Sequence, residues 1–171
     1  LHLRNYGISG NILILGYVLP EEVKILCDND IIQAVTSLDH AQQLSKGVPD
    51  GKSLRVHIKI DTGMGRIGLR HENVSEYADE IAEILSVEGI SVEGIFTHLS
   101  VADSDDKDDV DYTKKQRELI LAISEELKKR GINIPYVHFL NSAGATYYSD
   151  ERSALARFGI MLYGLHPNHA L

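Results

Sequence analysis

The chain has 171 residues, 43% of them hydrophobic, which is enough for one domain with a sizeable core. Its formal net charge of −8 argues against a nucleic-acid or other polyanion partner, though not against a single bound phosphate. One cysteine rules out a disulfide framework, and no apolar run approaches the length of a membrane span.

The opening LHLRNYG reads as the tail of a helix with no initiator methionine or signal peptide, so the chain is expected to be a piece of a larger protein. NILILGY (11–17) is a continuous apolar run, the pattern of a strand buried on both faces in a parallel sheet. Leu19, Pro20, Glu21 and Glu22 start a helix, with Pro early and acids in the first turn. Cys27 lies in this amphipathic stretch and reads as a buried thiol. IIQAVTS (31–37) is the second strand, the segment around 38–46 the second helix, and LRVHIKID (54–61) the third strand. Asn73 caps the next helix, with Glu76 completing a capping-box-like start and Val74, Tyr77, Ala78, Ile81 and Leu85 as its apolar stripe. GISVEGIFTHLS (89–100) is the fourth strand. A long helix follows at about 111–130, with Leu119, Ile123 and Leu127 on one face and Gly131 as its stop. YVHFLNS (136–142) and ARFGIMLYG (156–164) are the last strands. Six strands in alternation with helices, without hairpin signals, predict parallel β/α units. A doubly wound sheet and part of a (β/α)8 barrel both satisfy that alternation.

The third strand carries the chemistry. Val56, Ile58 and Ile60 share one face and His57, Lys59 and Asp61 the other. A solvated edge strand explains this in isolation. The pattern recurs, however: His98 lies near the end of the fourth strand, Asn141 and Ser142 end the fifth, and Arg157 lies near the start of the sixth. Polar groups at several parallel strand ends are the arrangement of a barrel active site. Gly63, Gly65 and Gly68 in DTGMGRIG (61–68) also spell the dinucleotide pattern G-x-G-x-x-G. A dinucleotide loop must pass directly into a helix, whereas five residues separate Gly68 from the next helical pattern. Arg66 adds a bulky cation where backbone should approach a ligand, so that reading is rejected.

KIDTGMGRIG, GIFTHLS, HFLNSAGA and RFGIMLYGL, together with LRNYGISGNILILG, closely resemble the alanine racemase family of pyridoxal-phosphate enzymes, in order and over nearly the whole chain. The resemblance implies an α/β fold of the parallel (β/α)8 TIM-barrel type, here incomplete, with about six of the eight units. Residues 1–171 would then be part of the family's N-terminal cofactor-binding barrel, without its first strands or its C-terminal β domain. It also implies pyridoxal 5'-phosphate as cofactor, a small amino-acid substrate, a homodimeric parent protein and a cytoplasmic location. The expected activity is interconversion of L- and D-alanine for peptidoglycan precursors, by two bases that remove and return the α-proton. Both bases, the cofactor-linked lysine and a tyrosine, are expected outside this chain, which alone should be inactive and prone to aggregate at its open edges.

Residue by residue, Lys59 matches a lysine that is often carbamylated, turning a cation into an anion that positions the arginine matched by Arg66. Arg66 in turn matches the hydrogen-bond donor to the cofactor's phenolic oxygen. Arg157 matches the arginine facing the pyridine nitrogen, where it cannot accept a proton. Ser142, Gly159 and Ile160 match the phosphate-binding positions, by hydroxyl and backbone N–H respectively. His98 and His138 match histidines in a network with Arg157 on the pyridine side, and Asn141 shapes the turn before Ser142. The acidic run from Asp103 to Asp111 lacks calcium-loop spacing and reads as a solvated loop; no metal is expected. His166 and His169 mark an exit segment, not metal ligands, and Tyr163 is not a catalytic base. A serine racemase of the same family and a non-catalytic pyridoxal-phosphate carrier are the competing readings, with a membrane-tethered parent possible for the first.

Overall fold

The strands pair in parallel with their neighbours in the chain, β1 to β5 in one sheet and β6 with β7 in a second. In the computed structural model, which describes residues 1–167, β1 (Ile12–Ile14), β2 (Ile31–Val35), β3 (Leu54–Lys59), β4 (Ile90–Phe96) and β5 (Tyr136–His138) form a sheet in the order β1-β2-β3-β4-β5. After Phe139 the chain re-forms a short strand, β6 (Leu140–Asn141), which pairs in parallel with β7 (Ala156–Arg157). A doubly wound sheet reverses its strand order at a switch point; here spatial order follows chain order throughout. The sheet is therefore part of a barrel wall.

Helix α1 (His2–Asn5) precedes β1, and α2 (Val23–Asp28), α3 (Leu38–Ser45), α4 (Val74–Leu85), α5 (Lys107–Lys129) and α6 (Ser142–Tyr147) connect the strands. Pro20–Glu22 forms a single 3-10 turn leading into α2. Local chemistry sets the helix ends. Ser37 caps α3 by accepting from the His40 N–H, and Asn73 caps α4 by accepting from the Glu76 N–H. Asp106, from the acidic run, caps α5 by accepting from the Asp108 N–H, so part of that run serves the helix start. Gly131, at φ +79°, ends α5 as expected.

One apolar core lies between the sheet and the helices. Val56, Ile58 and Ile60 meet Leu44 of α3, Tyr77, Ile81 and Ile84 of α4, and Ile120, Ile123 and Leu127 of α5 in it. Full burial of such side chains contributes about 1.5–3 kcal/mol each.

Five expectations need correction. β1 stops at Ile14, and Leu15 and Tyr17 are exposed, because this strand has a neighbour on one side only among the described residues. The run 136–142 divides at Phe139. The run 156–164 is a strand only at Ala156–Arg157; Ile160–Tyr163 is a 3-10 turn with Leu162 and Tyr163 exposed. On α4, Ile84 rather than Leu85 is buried, keeping the Tyr77–Ile81–Ile84 spacing of one helix face. Cys27 is half-buried, and burial raises its thiol pKa. His166 is exposed, His169 lies outside the described residues, and no metal-holding cluster occurs among the described ones. No described helix is long and apolar enough to cross a membrane.

Candidate functional site

The carboxyl ends of β3, β4, β6 and β7 lie around a cavity of about 280 Å³. Met64 lines it after β3, His98 after β4, Asn141 and Ser142 at the end of β6, and Arg157, Gly159 and Ile160 at β7. β3 keeps its two-residue alternation, yet neither face is solvated. Val56, Ile58 and Ile60 join the helix-side core, and His57 and Lys59 are buried on the lumen side. The edge-strand explanation fails because β2 and β4 flank β3 on both sides.

Lys59 is 3% exposed, and its ammonium donates to the Ile60 carbonyl at 3.0 Å. It lies 5.5 Å from the centre of the Phe96 ring. Burial pulls its pKa down to about 8; Asp61 opposes this, while Arg157 and Arg66 add to it. Asp61 does not pair with it. The Asp61 carboxylate instead accepts from the backbone N–H groups of Gly63 and Gly65, each at 3.0 Å. Burial raises that carboxyl, but these two donors, then Lys59 and Arg70, bring it below its ordinary value.

The glycines of DTGMGRIG let the loop double back on its own strand. Leu69 makes a parallel bridge to Ile60, with the Leu69 N–H donating to the Lys59 carbonyl at 2.9 Å. Gly68 sits at φ +121°, and a Cβ there would lie 2.7 Å from the Lys59 carbonyl oxygen. Tyr112 donates to the Gly63 carbonyl at 2.7 Å. Arg66 is exposed in this loop, close enough to Lys59 and His98 to lower both.

Gln116, buried on α5, ties the loops together. Its Oε1 accepts from the Ser100 N–H at 3.0 Å and the Ser100 hydroxyl at 3.1 Å. Its Nε2 donates to Thr62 Oγ1 at 3.3 Å and to the His98 carbonyl at 3.4 Å. Thr62 and Thr97 share a further bond at 2.8 Å. The loops carrying Arg66 and His98 are thus held by one amide.

Arg157 is held by neutral groups. Nη2 donates to the Thr97 carbonyl at 2.5 Å and Nη1 to His138 Nδ1 at 2.7 Å, with the guanidinium carbon 5.3 Å from the Phe96 ring centre. Burial pulls its pKa down to about 10. His138, fully buried, is pulled down to about 2 by burial, then by Arg157, His57 and Lys59, so it is neutral at physiological pH. Burial, then Arg157, Arg66 and Lys59, bring His98 down to about 4. At β6, Asn141 caps α6 by accepting from the Gly144 N–H at 2.8 Å and donates to the Leu99 carbonyl at 3.0 Å. The Gly159 N–H donates to Ser142 Oγ at 2.9 Å, which brings the two expected phosphate contacts side by side.

Residues 1–167 match the family model described as the alanine racemase N-terminal domain. This chain belongs to the alanine racemase family. It is 40% identical over 169 residues to the alanine racemase of Methanococcus maripaludis, covering 98% of this chain and 44% of that protein. Alanine racemase 2 of Caldanaerobacter subterraneus subsp. tengcongensis is 37% identical over 170 residues, with 99% and 42% covered. The solved alanine racemase of Clostridium difficile 630, in complex with cycloserine, superposes with a TM-score of 0.89 at 37% identity, covering 99% of this chain and 46% of that one. The chain therefore spans less than half the length of these alanine racemases.

Set against the family pattern, His98, Ser142, Arg157, Gly159 and Ile160 converge on the one cavity. His138 stands behind Arg157, Lys59 lies against Phe96, and Arg66 is out in the loop. Of the two histidines expected in a network with Arg157, His138 bonds the arginine directly, while the His98 ring meets Asn141 at 3.5 Å on the same cavity. Sequence reasoning assigned no role to His57, Phe96, Thr97 or Gln116. The signal for Gln116 was present: it stands one helical turn before Ile120, in phase with the buried Ile120–Ile123–Leu127 stripe.

Proposed function

We propose that this chain is the cofactor-binding half of a pyridoxal-phosphate-dependent alanine racemase. The observation that carries the reading is Arg157. Its side chain is half-buried, yet bonded only to a carbonyl and a neutral imidazole, with a buried cation, Lys59, against the same Phe96 ring. One buried and one half-buried cation without carboxylate partners favour an anionic ligand or an anionic modification.

The residues present fit pyridoxal phosphate. Ser142 Oγ and the Gly159 and Ile160 backbone N–H groups would hold its phosphate, and Arg66 its phenolic oxygen. Arg157 would face the ring nitrogen. When bound, the cofactor supplies an electron sink for negative charge at the α-carbon of an amino acid. Arg157 would limit that sink, because a guanidinium only donates hydrogen bonds and would therefore face an unprotonated ring nitrogen. His138 stays neutral and so acts toward Arg157 as an acceptor. We assign no proton-transferring base to this chain.

Lys59 suits carbamylation. An ammonium pKa of about 8 leaves about a tenth of the amine neutral at pH 7. The amine lone pair can then bond to the carbon of carbon dioxide as one N–H proton leaves to solvent, and a carbamate anion replaces the cation beside Arg66.

Alanine is the substrate favoured by the relatives' names, and a cytoplasmic homodimer is the parent assembly this reading implies. The test is to express the intact gene product with pyridoxal phosphate and follow D-alanine and D-serine formation from the L-enantiomers. Preference for alanine supports the reading. Preference for serine would move it to the sister activity, and bound cofactor without turnover of either would point to a carrier.

A further inference from the structure

The lumen holds a third histidine, which the site described above does not use. His57 on β3 and His138 on β5 are separated by a whole strand, β4, yet His57 Nδ1 and His138 Nε2 lie 2.9 Å apart. Neighbouring strands are about 4.8 Å apart, so side chains two strands apart reach each other only where the strand between them carries no obstructing side chain. Gly94 provides that gap. It is paired in register with both His57 and Tyr136, and a Cβ on it would lie 2.6 Å from His57 Nδ1. A register shift of β3 against β4 falls between Val56 and His57, directly before this contact.

The proton positions along this line follow from its arginine end. A guanidinium only donates, so His138 Nδ1, bonded to Arg157 Nη1, must be the bare nitrogen. In neutral His138 the proton then sits on Nε2 and is donated to His57 Nδ1, which must also be bare. Burial keeps both rings neutral, His57 at about 4 and His138 at about 2. The proton of His57 is left on Nε2, a buried atom with no hydrogen-bond partner among the described residues. A side chain that merely filled the lumen would carry no such unsatisfied donor, and leucine or phenylalanine would fill it without that cost.

We propose that His57 is a positioning residue: by accepting the His138 Nε2–H across Gly94, it fixes the His138 tautomer that offers Nδ1 to Arg157, and so aims the guanidinium into the cavity. The effect on cofactor binding rests on the role proposed for Arg157; the tautomer assignment does not.

The test uses the intact protein with 15N-labelled histidine, and His138 is assigned by comparison with a His138→Gln variant. In the wild type, His138 is expected to carry its proton on Nε2 at neutral pH, without cofactor. A proton on Nδ1 would overturn the proposal before any His57 variant is made. His57→Leu removes the acceptor and is expected to populate the other His138 tautomer and to weaken pyridoxal phosphate binding about tenfold, the effect of one lost hydrogen bond. His57→Asn, whose side-chain oxygen stands near the Nδ1 position, is expected to restore the wild-type tautomer and bring binding to within about threefold. Gly94→Ala should reproduce the His57→Leu spectrum with His57 still present. An unchanged His138 spectrum in folded His57→Leu would sink the proposal. Failure of the wild type to bind pyridoxal phosphate at all would overturn the cofactor reading, while the spectra would still decide the tautomer.

Discussion

The two faces of β3 are equally buried and chemically opposite. Toward the helices, Val56, Ile58 and Ile60 sit in a close-packed apolar core; toward the lumen, His57 and Lys59 are just as hidden but carry nitrogen atoms in poor surroundings for charge. One face is where folding free energy is gained. The other holds groups whose desolvation costs free energy, and these groups find carbonyls, neutral imidazoles and one aromatic ring instead of carboxylates. Burial in this protein is therefore no guide to stabilisation; the partner of the buried atom is.

The strongest way to test that contrast is to truncate adjacent residues. Ile58→Ala should lower unfolding free energy by about 2–5 kcal/mol in denaturant titrations, the usual cost of a core cavity. Lys59→Met, one residue on, should leave stability unchanged or raise it. Equal losses at both positions would erase the distinction between the faces.

The pH dependence of the same lysine comes next. Its pKa is lowered on folding from 10.5 to about 8, so between those values the unfolded chain binds more protons and stability rises with pH. Below about pH 8 the penalty is present in full. With carbon dioxide excluded, the wild type should gain on Lys59→Met across this window, by at most about 1.4 kcal/mol per pH unit. With labelled bicarbonate supplied, a carbamate carbon resonance should appear in the wild type and be absent from Lys59→Met.

A smaller effect is expected where the loop doubles back. Gly68→Ala places a methyl against the Lys59 carbonyl at positive φ and should cost about 1–3 kcal/mol in thermal unfolding. At the site itself, Ser142→Ala should change stability by less than about 1 kcal/mol while weakening pyridoxal phosphate binding about tenfold by fluorescence titration. A large stability loss there would place Ser142 with the structural face.

Parallel β/α units were legible because apolar runs and helical stripes alternate without hairpin signals. The choice between a sheet and a barrel did not follow from alternation, which does not encode strand order; the motif blocks and the resemblance they carry decided it for the barrel. Five site positions that converge on the cavity were readable from motif blocks at successive strand ends. The contacts of His57, Phe96 and Gln116 escaped for a physical reason: each acts through a neighbour on another element. The partner of His57 lies 81 positions away, and its route passes over a glycine whose importance is an absent side chain. The strand expected at 156–164 failed because an apolar run implies burial only where something covers it; Leu162 and Tyr163 are instead exposed on a 3-10 turn.

The strand order β1-β2-β3-β4-β5 has a consequence for how the chain is made. From β2 to β5 each strand docks on the one before it, with a short helical connection between them, so none of these strands must wait for a distant complement before it can settle. During synthesis this part of the wall can be laid down unit by unit, and Arg157, on β7, joins the charged lumen after the strands and helices of the helix-side core have emerged.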